Sequence, residues 1–311
     1  MHNPKAISRV AIIGFGEVGG IFGTDFAGQG IEVSVFDILL ASEAHRQQML
    51  AKARGCGVEA KDNLRDCLHK ADLVISAVTV SSAVDVAQHA GPILTRDQFF
   101  LDINSVSPET KRKAFAWIES NSGNGGGRFV EAAVMAGVPG KRLKVPMLLG
   151  GMHAVEASES LRSLGMDTKA ISDQIGVASA VKMCRSVMIK GLEALTVECL
   201  FAARQYGAED AVLESLAATC PGMGWKDHLP DYLISRVAEH GQRRAAELRE
   251  VAQTLQEVAV EPTMAVAAAH RQEQLVREIA KNKIPDQRAN EFSWRHLADA
   301  LILPAQHRTA K

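Results

Sequence analysis

An excess of charge of either sign is missing from this chain: 35 lysines and arginines face 36 aspartates and glutamates, a formal net charge of −1. No global field draws it to nucleic acid or to an anionic membrane, and a small molecule is the expected partner. Metal-ligand spacing is also missing. None of the ten histidines falls into H-x-x-x-H or H-E-x-x-H, and no acidic cluster has ligand spacing, so a reaction without metal is expected. Neither a Walker loop nor a Ser-His-Asp elbow is present. The five cysteines, Cys56, Cys67, Cys184, Cys199 and Cys220, are odd in number and form no C-x-x-C pair. They read as reduced thiols in a cytoplasmic protein. The N-terminus lacks a charged leader followed by an apolar run and a small-residue cleavage site, and its first apolar stretch is broken by glycines, so neither a signal peptide nor a membrane anchor is expected.

What is present begins with length. The 311 residues are enough for two domains, and 47% hydrophobic against 23% charged residues is an ordinary globular balance. Short β-branched runs at Arg9 to Ile13, Glu32 to Phe36, Leu73 to Val78, Phe99 to Ile103, Arg128 to Val134 and Val145 to Leu149 predict strands. Helical patterns such as Val18 to Gln29 and Glu109 to Ser120 alternate with them, which predicts βαβ units on a largely parallel sheet. Ser122 to Gly127 reads as a flexible loop. From about Gly176 strands give way to alanine-rich helices over Ala178 to Gln205, Ala208 to Ala218, Leu229 to Val258 and Pro262 to Ile279, with Gly241 a weak point in the third. The expected architecture is an α/β Rossmann-type doubly wound domain over 1–173, followed by an all-α domain over 174–311.

Chemistry concentrates first where the opening strand runs into Gly14-Phe15-Gly16-Glu17-Val18-Gly19. Gly14 permits a tight turn, Gly16 lets a pyrophosphate approach the backbone, and Gly19 lets the following helix pack closely. The helix N-terminus then faces phosphates. Three glycines can also mark nothing more than a sharp strand-to-helix turn. Asp37 ends the second strand about 20 residues after the first glycine, where a carboxylate holds ribose hydroxyls and repels a 2′-phosphate. NAD is therefore the expected cofactor; Arg46 nearby can accommodate a phosphate, which leaves NADP open, and Asp37 can equally cap a turn. Val78, at the end of the Leu73 strand, joins this cofactor set.

From these residues onward the chain resembles the β-hydroxyacid dehydrogenase superfamily, which includes 6-phosphogluconate and 3-hydroxyisobutyrate dehydrogenases, in order over nearly its whole length. A fourth glycine, Gly23, extends the fingerprint. Asp102-Ile103-Asn104-Ser105-Val106-Ser107-Pro108 resembles the family element after the fifth strand; the resemblance implies that Asn104 and Ser105 lie near the nicotinamide and the substrate, although Asn and Ser before Pro also simply make a loop and a helix cap. Glu131-Ala132-Ala133-Val134-Met135-Ala136-Gly137 stands where the family usually has Asp-Ala-Pro-Val-Ser-Gly-Gly. Met135 and Ala136 replace residues that ordinarily help hold a substrate carboxylate. A thioether supplies no hydroxyl donor but packs against an apolar or aromatic substrate.

The third family element is the run from Gly176 to Ser186, in which Lys182 aligns with the catalytic lysine and Ser186 replaces the usual asparagine. Apolar neighbours give a separate argument: a desolvated lysine has its pKa lowered from ~10.4 toward the ~7–8 useful for proton transfer. Lys190 to Leu195, with Arg236, His240, Arg243, Arg244 and Glu247, resembles the branch whose C-terminal helical domain was catalogued as one of unknown function. His240 and Arg243 share a helix face and can bind a substrate anion or a partner subunit, although such clusters are often solvated. Trp225, His228 and Tyr232 are read as pocket lining or as interdomain core.

Together these imply reversible hydride transfer between NAD and the alcohol carbon of a hydroxyacid or hydroxymethyl compound. Lys182 is the general acid/base and Ser105, Met135, Ala136, Gly137, Ser186 and His240 bind substrate, the ligand lying in an interdomain cleft. Alanine- and leucine-rich stripes suggest a homodimer, as the resemblance also implies. Two alternatives stand beside this: imine reduction, whose practitioners in this fold usually lack the lysine, and a dinucleotide-binding sensor without turnover.

Overall fold

The computed structural model describes residues 6–120, 126–285 and 292–309. The loop expected at Ser122 to Gly127 falls mostly outside them. The chain divides into two compact units, Met1–Met183 and Cys184–Lys311. The division lies inside a long helix, ten residues beyond the change of character read at residue 173.

In the first unit the chain order is β1 (Arg9–Ile13), α1 (Glu17–Gly28), β2 (Glu32–Phe36), α2 (Glu43–Cys56), β3 (Glu59–Ala60), α3 (Leu64–Leu68), β4 (Leu73–Ser76), α4 (Ala83–Ala90) and β5 (Phe99–Asp102). It continues with α5 (Pro108–Ser120), β6 (Arg128–Val134), β7 (Met147–Gly150), α6 (Ala154–Ser163), β8 (Thr168–Ser172) and the start of α7 (Val177–Gln205). One eight-stranded sheet forms in the order β3-β2-β1-β4-β5-β6-β7-β8. It is parallel except where β7 runs against β6.

The burial pattern explains why these segments are strands. Val10 to Ile13, Leu73 to Ser76 and Phe99 to Asp102 are buried without interruption, as expected where helices cover both sheet faces. Alternate residues feed opposite cores. Val10 and Ile12 join Phe22, Phe26 and Leu149 on one face, while Ala11 and Ile13 join Leu94, Phe100 and Phe129 on the other. The six strands read from sequence are present, with three trimmed ends. β5 stops at Asp102 rather than Ile103. β4 stops at Ser76 rather than Val78 because the Val78 amide turns to donate to Asn104 Oδ1 at 2.8 Å. β7 starts at Met147 rather than Val145. Strands β3 and β8 were not anticipated, one being two residues long and the other largely half-exposed.

The second unit holds the rest of α7 with α8 (Glu209–Thr219), α9 (Leu229–Gln256), α10 (Thr263–Lys281) and α11 (Trp294–Thr309), and no strand among its described residues. Val197, Leu200, Trp225, Ile234, Val237, Leu275, Trp294 and Leu297 form its core. Gly241 is not a weak point. Helix α9 runs through it unbroken, and a Cβ there would lie 2.9 Å from Gln272 O and 2.7 Å from Val276 Cγ2, so the glycine lets α10 approach. Among the described residues no helix is long and apolar enough to cross a membrane.

Candidate functional site

The three fingerprint glycines do different work. Gly14 has φ +91°, and a Cβ on it would lie 2.3 Å from Ala77 O, so the end of β1 crosses the end of β4 at a distance only glycine allows. A Cβ on Gly19 would meet Gly14 O at 2.1 Å, which is the close packing of α1 on its own entry loop. On Gly16 it would meet nothing within 4 Å. Gly16 is the N-cap of α1 and offers no side-chain cap, so the first amides of that helix open onto space, as an anion site requires. Glu17 and Val18 open the helix, and the Phe15 ring is buried in the core below.

Asp37 accepts from Phe15 N at 2.7 Å through Oδ2 and from Leu39 N at 3.0 Å through Oδ1. The carboxylate therefore ties the loop to the end of β2 and also caps the turn after it. Arg46 is turned to Asp62 at 2.6 Å and to Leu40 O at 2.8 Å. A residue with no sequence motif sits closer: Lys52 of α2 donates to Phe15 O at 2.6 Å and Gly16 O at 2.8 Å and lies over the Phe15 ring. It fastens the two loop carbonyls that precede the helix.

Beside this loop, Val78 and Asn104 join the ends of β4 and β5. Asn104 accepts from Val78 N, and its amide donates to Ser76 Oγ at 3.0 Å and Asp102 Oδ1 at 2.7 Å. All three Asn104 side-chain bonds are internal, so the residue builds the loop that presents its neighbour Ser105. Beneath it Asp102 and Lys111, each 1% exposed, form a buried pair at 3.0 Å, with the ammonium also donating to Asp102 O at 2.7 Å. Ser105 Oγ in turn accepts a hydrogen bond from Lys182 Nζ. Gly14, Ala77 and Val78, Asn104, Ser105 and Lys182 thus form one continuous chain of contacts.

The turn of α7 that carries Lys182 is held by Glu131, which is fully buried. Its Oε1 accepts from Gly176 N at 2.8 Å and Ala178 N at 3.0 Å, and its Oε2 accepts from Ser179 Oγ at 2.9 Å. The strand bearing Glu131 ends in Met135, Ala136 and Gly137, of which Met135 is half-buried and the other two exposed. Strands β1, β4, β5 and β6 are parallel, so the glycine loop, Val78, Asn104, Ser105 and Met135 to Gly137 all lie at the C-terminal edge of the sheet. Sheets of this kind bind ligands at that edge.

Ser186 and His240 belong to the second unit and are described within it. Ser186 is buried. His240 is held below its ordinary pKa by burial and then by the nearby Arg236 and Arg243 guanidiniums. Lys190 pairs with Glu247 at 2.6 Å and Arg244 with Glu193 at 2.5 Å inside the same bundle. Trp225 is part of the helical core, whereas Tyr232 is exposed. Among the described residues no group of three or more His, Cys, Asp or Glu is placed to hold a metal ion.

Comparison with known proteins gives two family matches. Residues 9–166 match the NAD binding domain of 6-phosphogluconate dehydrogenase, and residues 203–275 match a domain of unknown function. A conserved hypothetical protein from Sinorhizobium meliloti, known from its crystal structure, is 35% identical, with 96% of this chain and 97% of that one covered at a TM-score of 0.77. The 3-hydroxyisobutyrate dehydrogenase of Pseudomonas aeruginosa is 24% identical over 232 residues, 70% of this chain and 72% of that protein. An imine reductase from Aspergillus terreus, 17% identical over 95% of this chain and 99% of its own, has a TM-score of 0.56 and shares the fold alone.

Proposed function

Because the chain belongs to the family of the 6-phosphogluconate dehydrogenase NAD-binding domain, we propose that it is an oxidoreductase acting on the alcohol carbon of a hydroxyacid or related hydroxymethyl compound, with Lys182 as its proton carrier. The observation that carries this reading is the hydrogen bond from Lys182 Nζ to Ser105 Oγ at the C-terminal edge of the sheet. A hydroxyl beside an amine is the arrangement that receives a substrate alcohol: the neutral amine accepts its proton during oxidation, and the ammonium returns one to the developing alkoxide during reduction. NAD, when bound, supplies or takes the hydride. The residues present fit that cofactor: Gly16 leaves the α1 amides open, and Asp37 ends β2 beside the loop. A carboxylate at that position, with Arg46 engaged by Asp62, favours NAD over NADP.

Met135 and Ala136 at the end of β6 favour a substrate with an apolar or aromatic part. We assign a homodimer on the exposed apolar residues of α7, among them Met188 at 74% and Leu195 at 54% exposure, which a second copy would cover. Sedimentation should show twice the chain mass, and Met188→Glu with Leu195→Glu should return it to the single-chain value.

Side-by-side fluorescence titration with NADH and NADPH, then a panel of aliphatic and aromatic hydroxyacids followed at the nicotinamide absorbance, tests the reading. Tighter NADH binding and turnover of an apolar hydroxyacid are expected. Lys182→Ala should lower that turnover by about 10²–10⁴-fold with NADH binding kept. Full alcohol turnover in this variant would refute Lys182 as the proton carrier, and activity confined to imines would move the chain to the imine-reducing chemistry. Nucleotide binding without any turnover would favour a sensor.

A further inference from the structure

We infer that Glu131 is the positioning residue for Lys182, setting both where its amine lies and at what pH it gives up its proton. The proposal rests on Lys182 carrying the proton. Lys182 stands in the second turn of α7, so its reach is set by how the first turn is seated. Three donors of that turn and its approach, Gly176 N, Ala178 N and Ser179 Oγ, converge on the one Glu131 carboxylate.

Sheet register places this anchor beside another. Glu131 pairs with Asp102 across β5 and β6 and with Gly150 across β6 and β7. Asp102 Oδ1 accepts from Asn104 N at 2.9 Å and from its side chain, so it seats the loop that presents Ser105. The two halves of the Lys182–Ser105 contact are therefore built on neighbouring, register-paired carboxylates. Asp102 is neutralised by Lys111, whereas the described partners of Glu131 are neutral amides and a hydroxyl at a helix N-terminus, where the helix dipole favours negative charge. Room for the Glu131 side chain comes from Gly150, on which a Cβ would lie 2.4 Å from Glu131 Oε1.

A negative charge on the Glu131 carboxylate, which accepts from Ala178 N four residues before Lys182, favours the Lys182 ammonium form. Removing that charge makes the amine reactive at lower pH, and displacing the carboxylate without removing it loosens the Ser105 contact. A merely structural cap would loosen the contact in the same way but would leave the pH at which Lys182 becomes reactive unchanged.

The test is competitive acetic anhydride labelling of the full chain across pH, with the Lys182 peptide read by mass spectrometry against the exposed Lys226 as internal reference. Glu131→Gln keeps an oxygen for the two amides, and its half-reactive pH for Lys182 should fall by about half to one pH unit. Gly150→Ala should raise Lys182 labelling several-fold at fixed pH. Where either fails to unfold cooperatively on heating, Ser179→Ala, which removes one bond and keeps the charge, should still raise Lys182 labelling. Folded variants with the parent's Lys182 profile overturn the proposal. The labelling needs no substrate, so absence of hydroxyacid turnover would sink the dehydrogenase reading and leave this result standing.

Discussion

At the scale of single residues, Gly14 and Gly16 make opposite expectations. Gly14→Ala forces a Cβ onto Ala77 O at a left-handed φ, so the protein should lose cooperative unfolding altogether. Gly16→Ala has open space and an ordinary φ, so the melting temperature should stay near the parent's while NADH affinity falls by about tenfold or more as the methyl enters the phosphate site. Equal loss of stability in both would refute the division of labour. Cysteine chemistry separates residues in the same way. The Cys67 thiol is pushed up to about 12 by burial, whereas Cys184 and Cys199 are exposed. Iodoacetamide at pH 8 should reach Cys67 only after unfolding. The close packing of Gly19 on Gly14 O and the turn cap by Asp37 at Leu39 N were legible in the sequence because each joins residues only a few positions apart. Lys52 and Glu131 were not read as anchors, because the groups they hold lie 37 and 45 residues away and only the folded sheet brings them together.

At the scale of elements, long amphipathic stretches announced themselves and short ones did not. Helices α7, α9 and α10 fell within two residues of the boundaries read from periodicity, since many turns repeat one pattern. The five residues of α3, the eight of α4 and the two of β3 are too short to carry a period. Polar groups inside the bundle were also hidden, because Lys190 and Glu247 look like surface charges until α7 meets α9. Glu247→Ala should cost about 3–5 kcal/mol in denaturant unfolding by removing the carboxylate bonded to the buried Lys190 ammonium. Lys190→Met combined with Glu247→Leu should recover most of it. A double variant as unstable as the single one would mean that the pair supplies net stability.

At the scale of the whole molecule, acid acts on each unit through a half-buried histidine. His153 and His240 are both held below the ordinary 6.5, chiefly by burial and then by arginines. Their folded-state values lie below the unfolded one, so the stability they contribute is complete above 6.5 and is lost as pH falls toward the folded values. Glu273, bonded to Arg249, and Asp299, bonded to Arg204, are depressed from 4.5 and 3.8 and add a second loss below that range. Thermal midpoints should therefore decline in two stages below pH 6.5, and His153→Phe with His240→Gln should flatten the first. A first stage unchanged in the double variant would assign the loss to other groups.

Strand β1 lies inside the sheet, with a neighbour on each side. Val10 to Ile13 is hydrogen-bonded on one side to residues 33–36 and on the other to residues 73–76. A nascent chain that has released β3 but not β4 holds an almost wholly apolar strand with one edge unpaired, the kind of edge that other chains extend. Ribosome stalling or a premature stop between residues 60 and 73 should thus yield an aggregation-prone fragment, and slow codons in that stretch would work against the yield of folded protein.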